Sequence, residues 1–80
     1  MSDSDENLIN LGLQIRAERS KKGWSQEEFA HQCGIDRSYM GGIERGERNI
    51  SFSKLCLIAE TLQIGVSDLT VDLPVSGRRK

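Results

Sequence analysis

Eighty residues, 36% hydrophobic and 29% charged, are the material of one compact soluble domain, without room for a separate catalytic or ligand-sensing domain. One Trp, one Tyr and two Phe imply a core of Leu, Ile and Ala, which points to an all-helical fold. The formal net charge of −1 speaks against a basic coat for nucleic acid, although its distribution matters more than its sum. Acid gathers at Asp3, Asp5, Glu6, Glu60, Asp68 and Asp72, whereas Arg37, Arg45, Arg48 and Lys54 fall together in the middle.

Residues 1–5 read as a disordered acidic start. A first helix follows over residues 6–22, with Leu8, Leu11, Ile15 and Arg19 at helical spacing and Gly23 as its left-handed terminus. The second start carries three concordant signals: Ser25 as N-cap, Glu28 as its capping-box partner, and Trp24 set to staple against Phe29. This helix spans residues 26–33 and buries Phe29, Ala30 and Cys33, and Gly34 makes the turn. Asp36 caps a third helix over residues 37–45, held by Met40 and Ile43 and closed by Gly46.

Ser51 caps a fourth helix ending near Leu62, with Leu55, Ile58, Ala59 and Leu62 as its apolar stripe. A short fifth segment covers residues 67–70. Folding is expected to end near residue 71, leaving residues 72–80, with Pro74, Gly77, Arg78, Arg79 and Lys80, as a flexible basic tail. The expectation is thus an all-α, compact five-helix domain. Cys33 and Cys56 lie far apart in apolar patterns and read as reduced core thiols. No run approaches the ~18 apolar residues of a membrane span, and the acidic start is unlike a signal peptide, so a cytoplasmic protein is expected.

Gln26, Ala30, Gly34, Ile35, Met40 and Ile43 have the spacing of a helix-turn-helix: a small residue at the crossing, glycine at the turn, apolar residues locking the angle. Any helical hairpin shares part of that pattern. The chain resembles the phage repressor and Cro-like helix-turn-helix family over residues 8–69. The likeness rests on Gly23-Trp24-Ser25-Gln26-Glu27-Glu28-Phe29-Ala30, Gly34-Ile35-Asp36-Arg37-Ser38-Tyr39 and Ile43-Glu44-Arg45-Gly46-Glu47-Arg48-Asn49. Within that family, residues 36–49 look most like the controller proteins of restriction–modification systems.

The resemblance implies that the third helix enters the major groove by its N-terminal end. Arg37 and Ser38 would face base edges, where an arginine paired bidentately with guanine gives about 1–3 kcal/mol of discrimination. A solvated first-turn charge is the alternative for Arg37. Tyr39 would touch a thymine methyl, a sugar or a phosphate, or be buried in the core. Gln26 would hold a phosphate or brace the recognition residue, and Arg48 and Asn49 would grip DNA from the following loop. Arg45 has two readings, a DNA contact or a cation favoured by its own helix dipole. The family offers Arg19 as an internal partner for Glu44, whose charge would otherwise repel phosphate.

The chain departs from the family pattern at Gly41-Gly42 and at Ile50, where proline is frequent. Each helical glycine costs roughly 1 kcal/mol against alanine. Close approach of the helix backbone to DNA or to a neighbouring helix would offset that cost, and Gly42 is grouped with the DNA-binding positions on this ground.

A single motif reads too few base pairs for useful specificity, so two copies about 34–36 Å apart along double-stranded operator DNA are expected. Ile64, Val66, Leu69, Val71 and Leu73 are the dimerisation candidates, or they cap the open end of the core. Glu27 stands where some family members touch RNA polymerase, although a helix-dipole role also accounts for it. The single histidine has no triad or metal set around it, so neither an enzyme nor a cofactor or metal is expected. The reading is a transcriptional regulator, repressor or activator, that binds an operator as a homodimer. The alternative is an antitoxin-type regulator that also binds a protein toxin.

Overall fold

The computed structural model describes residues 3–75, with side chains from Glu6 onward. Five helices follow in order: α1 (Asp3–Lys21), α2 (Gln26–Cys33), α3 (Arg37–Glu44), α4 (Phe52–Leu62) and α5 (Val66–Leu69). The described residues contain no strand. None of these helices is long and apolar enough to cross a membrane.

Local chemistry fixes the helix ends. At α2, the Ser25 hydroxyl accepts the Glu28 N–H at 3.0 Å, and the Glu28 carboxylate accepts the Ser25 N–H at 2.8 Å. Two of the helix's orphan donors are thereby satisfied. Trp24 stacks on Phe29 with ring centroids 5.8 Å apart, which sets the angle at which the chain enters. Gly34, at φ +71°, closes α2 in the left-handed region, and the Ile35 N–H reaches back to the Ala30 carbonyl at 2.9 Å. Asp36 caps α3 by accepting the Tyr39 N–H, and Ser51 caps α4 by accepting the Lys54 N–H.

Ile15, Phe29, Met40, Ile58, Leu62 and Leu69 are fully enclosed and tie all five helices to one core. Cys33 is buried and Cys56 half-buried, and both are free thiols. Burial pushes the Cys33 thiol up, partly opposed by a hydrogen bond with Thr61.

Several boundaries differ from expectation. Helix α1 begins at Asp3, so it takes in part of the segment expected to be disordered. Helix α3 ends at Glu44 with Arg45 as its cap, and α5 lies one residue earlier than expected. Residues 72–75 are not a loose tail: Leu73 packs on the core, and the Val75 N–H donates to Asn7 Oδ1 at 2.8 Å. The basic residues Arg78, Arg79 and Lys80 lie outside the described residues.

Leu69 is the clearest correction. It is wholly buried among core side chains and has no surface to offer a second chain. Ile64 and Val66 are half-buried against the same core, whereas Val71 remains 71% exposed.

Candidate nucleic-acid interface

The angle between α2 and α3 is held by a polar cluster within the fold. Arg19, from α1, donates from Nε to Glu44 Oε2 at 2.8 Å and from Nη2 to Glu44 Oε1 at 3.0 Å. Its third donor, Nη1, reaches the Trp24 carbonyl at 2.9 Å. Gln26, at the first position of α2, donates from Nε2 to Glu44 Oε1 at 3.0 Å. Glu44 is only 6% exposed, so its charge is neutralised internally before it can oppose a phosphate. The hydrogen bond with Glu44 also holds the Arg19 guanidinium above its ordinary basicity.

Gln26 therefore braces the scaffold, and its amide is turned towards Glu44. Three helices meet at one carboxylate. Below it, α1 crosses α3 at Gly12, where an added Cβ would collide with the Glu44 carbonyl and lie 2.6 Å from the Ile43 carbonyl. Gly12 carries a weak signal in the sequence, since a glycine inside an apolar helical pattern costs helix stability that a close approach can offset.

The exposed face of α3 presents Arg37 and Ser38 in its first turn, both open to solvent. Tyr39 is half-buried and packs against the core, and the rest of its ring meets cations. The Arg48 guanidinium carbon lies 5.5 Å from its ring centroid, and the Lys54 Nζ lies 5.4 Å away. Arg48 comes from the loop after α3 and Lys54 from the first turn of α4, so one ring gathers cations from two segments. In the sequence Lys54 stands only as a member of the central basic cluster. Asn49 is exposed in the same loop as Arg48.

Two expected DNA-facing positions look different in place. Gly42 is buried, and the space where its Cβ would lie is filled by the Arg48 side chain, 2.7 Å from Cγ, so the surface presented there is arginine. Arg45 is exposed and donates from Nε to Glu47 Oε1 at 3.0 Å, a solvent-facing pair that leaves it part of its charge. Gly41 similarly makes room for Gln26 and Arg45, whose Oε1 and Nη1 would each lie 3.1 Å from an added Cβ. On the exposed side of α2, Glu27 lies in an open hollow lined also by Ser25, Glu28, His31 and Gln32.

Comparison with known proteins gives this geometry a family. The helix-turn-helix family pattern matches residues 15–69. A hypothetical transcription factor of Neisseria meningitidis serogroup B is 43% identical over 80 residues, covering all of this chain and 74% of that protein. The crystal structure of the restriction–modification controller protein C.AhdI from Aeromonas hydrophila superposes with a TM-score of 0.78 at 42% identity, over 81% of this chain and 98% of that one. SinR, a master regulator for biofilm formation solved in complex with DNA, superposes with a TM-score of 0.70 at 33% identity, over 74% of this chain and 95% of that one. With its capped α2–turn–α3 unit, its internally neutralised Glu44 and these relatives, the chain belongs to the helix-turn-helix family of DNA-binding transcriptional regulators.

Proposed function

We propose that this regulator acts in the cytoplasm by binding rather than catalysis, reading a twofold-symmetric operator as a homodimer and controlling restriction–modification genes, its own included. The observation that carries the reading is the solvent-exposed pair Arg37–Ser38 on the first turn of α3, flanked by exposed Arg48 and Asn49. Arg37 supplies base discrimination, Ser38 an adaptable hydroxyl, and Arg48 and Asn49 the contacts from the following loop. The structural neighbour solved with DNA supports the mode of binding, and the controller neighbour supports the biological role. These relatives lend no support to a toxin-binding role.

Dimerisation falls to the end of the molecule carrying Val71 and the half-buried Ile64 and Val66. Leu57 of α4, 37% exposed, adds apolar surface that sequence reasoning missed. Selection of duplexes from a random pool, with the native protein beside Arg37→Ala, tests the operator reading. An enriched inverted repeat whose half-sites lose one preferred base in Arg37→Ala is expected, at about 1–3 kcal/mol for that base pair. Recovery of no common sequence by the native protein would sink the operator reading.

Where the regulator activates transcription, Glu27 is the residue proposed to meet RNA polymerase. Glu28 beside it is engaged in capping α2, whereas Glu27 is exposed. A promoter assay with Glu27→Ala should lose activation while operator affinity stays unchanged. Full activation by that variant removes the polymerase contact.

A further inference from the structure

Arg48 lies in an exposed loop, where an arginine ordinarily samples many rotamers and loses that freedom on binding. Here its side chain is laid across α3. An added Cβ at Gly42 would lie 2.7 Å from Arg48 Cγ, 3.3 Å from Nε and 3.5 Å from Cδ, so the stem occupies the groove left by the missing methyl. The Glu47 N–H donates to the Gly42 carbonyl at 2.8 Å, anchoring the start of the loop to the same residue. The far end of the arginine meets the Tyr39 ring, which Lys54 also approaches. Among the described residues no carboxylate forms a salt bridge with Arg48, whereas its neighbour Arg45 is held by Glu47.

We infer that Gly42 is a positioning residue for DNA readout: by lacking a side chain it provides the seat in which Arg48 is pre-ordered, with Tyr39 closing the far end. The inference rests on the proposed role of Arg48 at the operator. Gly42 itself touches no base. Its helical backbone accepts alanine, a better helix former, and the atoms in the way, from Cγ to Nε, belong to the one Arg48 side chain, which clears the methyl by turning about its Cα–Cβ bond. Gly42→Ala therefore displaces Arg48 without opening the core.

The test is a double-mutant cycle on the full chain, using the duplex that the native protein enriches from a random pool, read by fluorescence anisotropy. Gly42→Ala should weaken binding about two- to tenfold, the range set by immobilising one long side chain, and should relax preference at the base pairs that Arg48→Ala also relaxes. Added to Arg48→Ala, it should cost nothing further. Equal losses in both backgrounds, or no loss in the native one, would overturn the seat. Thermal melts should show Gly42→Ala melting no lower than the native protein.

Nitrogen relaxation of the Arg48 Nε–H in the free protein supplies a readout without DNA. It should report an ordered side chain in the native protein and a mobile one in Gly42→Ala. Equal mobility in the two overturns the inference while leaving operator reading intact. Failure of the native protein to enrich any duplex overturns both.

Discussion

Arg19 of α1 grips both carboxylate oxygens of Glu44 in α3, and Gln26 of α2 shares one of them. The orientation of the recognition helix is therefore set by one buried charge rather than by apolar packing alone. Removing a single member leaves its partner charged and poorly solvated, so Arg19→Ala and Glu44→Ala are each expected to cost about 3–5 kcal/mol in chemical denaturation. Joint replacement by Met and Leu should recover most of the stability. A loss under about 1 kcal/mol in either single variant would contradict the role given to the pair.

The crossing of α1 over the end of α3 has no space for a methyl group. Gly12→Ala would press a carbon into the carbonyls of Ile43 and Glu44, which are backbone atoms and cannot swing aside. A loss of about 1–3 kcal/mol is expected, since overpacking displaces whole helices. Gly42→Ala, where the obstacle is a surface side chain, should lack this loss. Denaturant midpoints of the two variants provide the comparison.

Cys33 is 6% exposed, and burial raises its thiol pKa. The folded state thus holds this proton more tightly than the unfolded chain does. The associated stability is complete below the ordinary thiol range, about 8.5, and declines as pH rises through the elevated folded value. Labelling with a thiol reagent at neutral pH should modify half-buried Cys56 first and Cys33 only on unfolding. Replacing Cys33 with Ala should flatten the alkaline fall in stability. Rapid modification of Cys33 in the native protein would contradict its placement.

Features decided within a few residues were legible in the sequence. Ser25, Glu28, Trp24, Gly34, Asp36 and Ser51 act through bonds or contacts to near neighbours, so their spacing was sufficient to place α2, α3 and α4. Where a side chain folds back from a distance, sequence spacing had no purchase. Nothing between Gly42 and Arg48 announces that the arginine fills the glycine's groove, and the glycine was read as a place for DNA. The sequence leaves Leu69 between a dimerisation surface and a cap on the core, because a helix of four residues is too short for its periodicity to separate an inner from an outer face. Gln63, which ends α4 in the left-handed region at φ 62°, carries no residue-type signal, since glycine or asparagine ordinarily marks that position.

The bond between the Val75 N–H and Asn7 joins points separated by almost the whole described chain. The path of the described polypeptide is therefore nearly a closed ring. The order in which the helices are connected is separable from how they pack. A circular permutant joined across this contact and opened elsewhere would keep the core and the α2–α3 unit, with its two ends relocated to the new opening.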